Sequence, residues 1–259
     1  MKVMVNFSVI IPTHNRNIFL DRAIKSTLKQ KKKPIEILVI DDCNNSETKK
    51  TVKKFTGRHK NTSIKYLKNK ISNNALISRN FGAANAKGNY IAFLDDDDFW
   101  HKNYLFDASK NIKKKGVDII IYHTLNFFSK KKIKSNKKIP LIFNIEDYLH
   151  YNPGVVCSNV IIKKKIFLDL KGYDYKISGG ADKDLFIRGI LLKKSYFISN
   201  KKYVYLQNHP NQWSKKHKLI LLQKILFFKK YFKYYLDFKN FFKFIKMIIV
   251  FMLLIIKRK

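Results

Sequence analysis

A short apolar run, Tyr90-Ile91-Ala92-Phe93-Leu94, stops on four consecutive carboxylates, Asp95 to Asp98, followed by Phe99-Trp100. The run has the length of one buried strand and is too short to be assigned as a helix. Four like charges in a row repel, so a fold must bring them to a cation or to solvent. The carboxyl end of a central strand is where open α/β sheets bind ligands. Oxygen-only ligands suit a hard divalent cation, Mg²⁺ or Mn²⁺, rather than zinc. Such an ion takes one or two protein carboxylates and fills its shell with water and substrate phosphate. The pattern points to a metal-bridged phosphate site at a strand end. A plainer account is an acidic helix start, with Asp98 as N-cap of a helix from about Phe99 to Lys115. Capping uses one carboxylate and leaves three unexplained, in a chain of 18 acidic and 54 basic residues.

That imbalance, a net charge of +36, raises nucleic-acid binding as a possibility. Only six of the basic residues are arginines, the residues that fork onto phosphates and base edges. The lysine excess is read first as attraction to an anionic membrane surface, then as the residue usage of a low-GC genome, with nucleic acid a distant third. The length of 259 residues suits one large domain or a domain with an appendage. Cys43 and Cys157 show neither metal spacing nor a disulfide framework, which fits a reducing, cytosolic compartment. Phe7 to Ile11 is too short for the apolar core of a secretion signal, and no cleavage pattern follows it. A cytoplasmic location, peripheral at the inner face of the cell membrane, is expected.

Taken in order, Val3 to Ile11 reads as a strand ended by Pro12, and Ile18 to Gln30 as a helix with Leu20, Ala23 and Ile24 on one side. Ile35 to Ile40 is a second strand, ending on Asp41-Asp42. A helix from Ser46, a strand from Ser63 to Leu67 and a helix from Ser72 to Ala86 lead into the acid-tipped run. Strands alternating with helices at this spacing predict a parallel, doubly wound sheet. Two strands then end in carboxylates at the same edge. An Asp after one strand is ordinarily a turn residue; two such ends together make a nucleotide cleft.

Four stretches in this order resemble family 2 glycosyltransferases of the GT-A fold: Ser8 to Arg16, Glu36 to Cys43, Ser78 to Gly82, and Gly88 to Trp100. The resemblance resumes near residue 172. It implies an α/β, Rossmann-like fold with a mostly parallel central sheet flanked by helices. It also implies a sugar transfer, inverting at the anomeric carbon, from a nucleotide-activated donor. Residue by residue, it puts Thr13 against the nucleoside and Asp41 on the uracil ring of a UDP-sugar. Arg79 would lie near base and phosphates, Asp95 at the ribose, and Asp97 at the metal, Mn²⁺ or Mg²⁺. The run of four acids also allows the frame Asp96 with Asp98. From the residues alone, Thr13 reads equally as a turn residue and Arg79 as part of a polar helix face.

Further on, Val117 to Tyr122 and Val155 to Ile162 read as strands, with a hairpin turn or loop over Phe128 to Lys138. Gly179-Gly180-Ala181-Asp182-Lys183-Asp184 precedes an apolar helix, and acids there are favoured by the helix dipole. The segment resembles the Glu-Asp-x-Asp-Leu motif of the family, which makes Asp182 the catalytic base. Ala181 stands where that motif has its first acid, which supports an alternative reading as a non-catalytic nucleotide-sugar-binding relative. His209 is a further candidate for the metal or the diphosphate, and Trp213 for the acceptor or membrane. From His217 the composition turns to Lys, Phe, Tyr, Leu and Ile. The apolar stretch from Phe244 to Ile256 is about 20 Å of helix, short of a ~30 Å hydrocarbon core. It is expected to be an interfacial or tail anchor rather than a full span; packing against the domain, or in a dimer, is the other possibility. The expected organisation is a catalytic domain over 1–212, with a nucleotide-binding half (1–100) and an acceptor-side half (101–212), then a basic, aromatic helical tail over 213–259. The expected partners are a nucleotide-sugar donor, a hydroxyl of a surface glycan or lipid-linked acceptor, and an anionic membrane surface, with no nucleic acid.

Overall fold

The structure is a computed structural model that describes residues 4–70, 74–128, 133–136, 138–143, 145–208 and 217–256. The first half runs β1 (Phe7–Thr13), α1 (Asn17–Leu28), β2 (Glu36–Asp41), α2 (Ser46–Lys53), β3 (Ser63–Lys68), α3 (Ala75–Asn85) and β4 (Tyr90–Phe93). The second half runs β5 (Phe99–Trp100), α4 (Tyr104–Lys115), β6 (Ile119–Phe127), β7 (Ile133–Ser135), α5 (Ile145–His150), β8 (Val160–Lys163) and α6 (Lys164–Asp169), then α7 (Ala181–Leu191) and β9 (Tyr196–Gln207). Two further helices, α8 (His217–Lys230) and α9 (Phe238–Ile256), follow.

Among the described residues one sheet forms in the order β3-β2-β1-β4-β8-β6-β9-β5, with β7 beside β6. β1 pairs in parallel with β2 and with β4, and β2 with β3, as expected of helix crossovers. Beyond β4 the sheet becomes mixed. β8 runs antiparallel to both β4 and β6, β6 is parallel to β9, and β5 is antiparallel to β9. The parallel prediction therefore holds for the nucleotide half, and the acceptor-side half departs from it. The central strands β1, β2 and β4 are buried on both faces. Val9 and Ile11 point into one apolar cluster with Leu20 and Ile24 of α1, while Ile10 points into the other with Phe93 and Phe167.

Several boundaries differ from the sequence reading for local reasons. Pro12 does not end β1, because the strand continues to Thr13 beside β2 with Pro12 opposite Ile40. The helix expected to start at Phe99 starts at Tyr104. Phe99 and Trp100 are taken by pairing with Tyr205 and Val204 of β9, so Asp98 is not its cap. The strand expected from Val155 breaks at a 3₁₀ turn, Cys157–Asn159, before β8. Gly88 lies against β1 so tightly that a Cβ would come within 2.6 Å of the Ser8 nitrogen, and its N–H donates to Ser8 Oγ at 2.8 Å. Ser8 in turn donates to Glu36 at 2.6 Å, which ties the starts of three strands together.

α8 and the start of α9 pack on the domain and share its core. Phe227, Tyr231, Tyr235 and Phe244 are buried in the same cluster as Phe93 and Tyr148. Phe228 stacks on Phe244 at 4.0 Å between centroids. The close fit extends to Gly180, where a Cβ would sit 2.9 Å from the Phe227 ring. Shortening Phe227 to alanine should cost about 3–5 kcal/mol of folding free energy in denaturant unfolding. A loss within about 0.5 kcal/mol, the usual effect of a surface change, would show that the tail does not belong to the core.

Candidate active site

β1, β2 and β4 are adjacent, so their carboxyl ends bring three loops to one edge. Thr13 and Asp41 are opposite one another in the β1–β2 register, and Leu94 continues β4 by donating to the Ile10 carbonyl at 3.0 Å. The loops after β1 and β2 turn through Asn15 and Asn44, both at φ 56°. Asparagine tolerates that left-handed conformation better than most residues. Asn45 donates to Asn15, which joins the two loops.

Asp41 is fully buried, and its carboxylate is fully engaged. One oxygen accepts from the Cys43 N–H at 3.0 Å and the Cys43 thiol at 3.2 Å. The other accepts from the Asn45 N–H at 2.9 Å and the Tyr66 hydroxyl at 2.7 Å. Four donors fill the roughly four lone-pair sites of a carboxylate. A further N–H donor would have to take the place of one of them.

The four acids after β4 alternate. Asp96 and Asp98 are buried, and Asp95 and Asp97 are partly exposed. Asp96 accepts from Thr13 Oγ1 at 2.8 Å and from Arg16 at 3.3 Å. Burial, with Asp97 alongside, pushes its carboxyl up to about 7 against the pull of Arg16 and Thr13. Asp98 accepts the Gln207 N–H at 3.0 Å, and burial followed by Asp95 and Asp97 holds it well above the usual carboxylate range. Asp97 pairs with Arg16 at 2.8 Å. Asp95 pairs with Arg79 of α3. Burial disfavours the Arg79 charge, but Asp95 and its neighbours outweigh that and raise its pKa.

Carboxylate oxygens of Asp95, Asp97 and Asp98 lie within 4.8 Å of one another. This all-oxygen donor set suits a hard divalent cation better than zinc, whose protein sites favour nitrogen and sulfur ligands. Arg16 now partners Asp97, so a cation there would compete with it.

The 3₁₀ turn Cys157–Asn159 reaches the same edge. Ser158 Oγ accepts the Asp95 N–H at 3.0 Å, and its carbonyl accepts from Trp100 Nε1 at 2.8 Å. The buried Cys157 thiol donates to Asp182 Oδ1 at 3.0 Å. Asp182 lies in the first turn of α7. Burial pushes its carboxyl up to about 6 and Asp95 adds to this, while Cys157 and Arg79 draw it down. Asp95 and Asp182 thus both act on Arg79, from opposite halves of the chain. Ala181 is 3% exposed and sits in the apolar core, so its methyl fits where a carboxylate would be buried. Asp184, also buried, is held by Arg188 at 2.6 Å, Lys230 at 2.6 Å and the Tyr231 hydroxyl at 2.7 Å. Those partners give it a structural role. His209 and Trp213 lie outside the described residues.

Arg16, Arg22, Cys157 and Ser158 were not singled out from sequence. Arg22 of α1 sits over the Phe99 ring at 4.6 Å and donates to the Asp97 carbonyl at 2.5 Å. The available signal was scarcity. Of six arginines in a lysine-dominated chain, Arg16, Arg22 and Arg79 meet the acid run. A guanidinium keeps its charge on burial and presents a fixed fork, which a lysine does not.

Residues 8–170 match the model of the family described as Glycosyl transferase family 2. The chain belongs to that family. It is 39% identical over 122 residues to the poly(ribitol-phosphate) beta-N-acetylglucosaminyltransferase TarP of Staphylococcus aureus, covering 46% of this chain and 36% of TarP. It is 29% identical over 168 residues to the UDP-Glc:alpha-D-GlcNAc-diphosphoundecaprenol beta-1,3-glucosyltransferase WfgD of Escherichia coli, covering 61% of this chain and 60% of WfgD. The match thus spans less than two thirds of either relative. The crystal structure of S. aureus TarS 1-349 in complex with UDP-GlcNAc superposes with a TM-score of 0.66 at 18% identity, over 90% of this chain and 73% of that one. That likeness shows the fold, and the GT-A architecture expected from the sequence is the one found.

Replacing Asp95 with asparagine leaves the buried Arg79 without its ion-pair partner. The expected cost is about 3 kcal/mol in denaturant unfolding, the low end for such a pair because Asp95 keeps contact with solvent. Adding Arg79→Met should recover part of that loss, and a double-mutant cycle reads the coupling directly. Simple additivity would show that the two side chains do not compensate one another.

Proposed function

We propose that this chain is a metal-dependent glycosyltransferase. It moves a sugar from a nucleotide-sugar, a UDP-sugar by this reading, to a hydroxyl of a surface glycan or lipid-linked acceptor. The carrying observation is the convergence of Asp182 with the acid run around the buried guanidinium of Arg79. Relatives whose names specify polymer or undecaprenyl-diphosphate acceptors support the acceptor class. A related fold bound to UDP-GlcNAc supports the donor class.

In this reading the loops after β1 and β2 hold the nucleoside, with Thr13 and Asp41 at its edge. Asp95 faces the ribose, and Arg79 lies beside the phosphates. Asp97, with Asp95 and Asp98 next to it, would hold Mn²⁺ or Mg²⁺, which when bound neutralises charge on the departing diphosphate. Asp182 removes the proton from the acceptor hydroxyl as that oxygen attacks the anomeric carbon from the face opposite the diphosphate, inverting it. A carboxyl near 6 is a stronger base than an ordinary aspartate yet still ionised at neutral pH. The buried Cys157 thiol holds one of its oxygens, leaving the other for the acceptor. In this reading the chain works at the inner face of the cell membrane, which relatives with lipid-linked acceptors support.

Because the base must be ionised, kcat/KM should rise with pH through about 6 and level off above it. Asp182→Asn should lower kcat by about 10²–10⁴-fold and leave UDP binding unchanged. Calorimetric titration of UDP with and without Mn²⁺ reads the other half of the site. Metal-dependent binding is expected for the wild type and should disappear in Asp97→Ala. UDP binding indifferent to Mn²⁺ and to that substitution would overturn the metal assignment.

A further inference from the structure

α8 and α9 each turn one side to the domain and leave large apolar side chains on the other. On α8, Gln223 and Phe227 are buried, while Leu222, Ile225 and Leu226 are exposed. On α9, Asn240 and Phe244 are buried, while Phe242, Ile245, Ile249 and Leu253 are exposed, Phe242 to 62%. Steps of three and four residues place these groups in a stripe along the outward side of each helix. Lys239, Lys243 and Lys246 follow the same spacing and are exposed along one edge of the α9 stripe. Between residues 217 and 256 the chain carries eight lysines and one acid, Asp237. No described helix is long and apolar enough to cross a membrane.

We infer that the outward face of the α8–α9 hairpin docks in the plane of an anionic phospholipid bilayer. The apolar stripe would enter the acyl boundary, and the lysine row would reach back to the headgroups. Charge argues against a second copy of the chain as the occupant. A symmetric pair would bring together two sets of exposed lysines, Lys239, Lys243 and Lys246 among them, with little acid to offset them. The hairpin also supports the catalytic segment. Tyr231 and Lys230 hold Asp184, two residues beyond Asp182, and Lys183 lies 4.0 Å from the Phe227 ring. The bilayer contact and the proposed base are thus parts of one packed unit, which fixes the height of the site above the lipid.

The inference deepens the membrane-surface part of the proposed function and does not depend on the donor. Co-sedimentation of the full chain with phosphatidylcholine vesicles, with and without phosphatidylglycerol, tests it. Binding is expected only with the anionic lipid, and it should weaken as salt is raised. Phe242→Gln/Ile245→Gln/Ile249→Gln alters exposed side chains and should lower partitioning at least ten-fold. Lys239→Gln/Lys243→Gln/Lys246→Gln should lower it by about a hundred-fold, at about five-fold per lysine. An unchanged thermal melt shows that each variant is folded. Absence of binding to either vesicle, equal binding to both, or unchanged binding by the variants overturns the inference. So does a solution dimer that the apolar variant dissociates, since the face would then be a protein interface. UDP calorimetry without lipid reports separately on the donor site, so the two readings can fail independently.

Discussion

Charge compensation at the end of β4 is the constraint on which the rest of the structure depends. Four carboxylates within one short loop are tolerable only because arginines arrive from elsewhere. Arg16 and Arg22 come from the start and first turns of α1, and Arg79 from α3. The two buried members are further held by hydrogen bonds, Asp96 from Thr13 and Asp98 from the Gln207 backbone. The run turns at Asp96-Asp97, with the Asp98 N–H donating to the Asp95 carbonyl at 3.0 Å, and the pair left partly exposed is Asp95 and Asp97. The acid run is therefore an electrostatic centre that pins α1, α3 and β9 to the sheet edge, and these are the elements that shape the cleft.

The second half of the chain is joined to this centre by one short turn. Cys157–Asn159 interrupts what would otherwise be a longer strand. The interruption allows Ser158 to bind Asp95 and Cys157 to bind Asp182. Asn159 fixes the turn by donating to the carbonyls of Tyr122 and Gly154. On the far side of Asp182, α8 closes over the glycines and anchors Asp184 through Tyr231. The segment bearing Asp182 is held between a polar turn and an aromatic helix, so its geometry belongs to the whole fold rather than to the local motif.

Much of the fold was legible because its first half is built from local rules. Apolar runs of strand length, each ending in carboxylates and separated by amphipathic helices, have one common solution, a parallel sheet with its acids at one edge. The family resemblance of those runs carried the nucleotide half to named residues. The boundaries that slipped were decided by pairing. Phe99 and Trp100 had the local look of a helix start, and β9 took them as a strand. Pro12 looked like a terminator, and strand pairing with β2 carried through it.

The sequence by itself determined the alternating α/β order, the edge at which the acids gather, and the lysine-rich aromatic character of the tail. These follow from periodicity, from charge and from composition, all of which are properties of neighbours along the chain. Tertiary structure alone decided which acids are buried and which arginines neutralise them. It also made Asp41 a saturated acceptor, joined Cys157 to Asp182, and packed α8 into the core while leaving large apolar side chains of α9 exposed. Each of these is a contact between residues distant in sequence, set by how the sheet curls and where helices cross it. No local pattern encodes such distances.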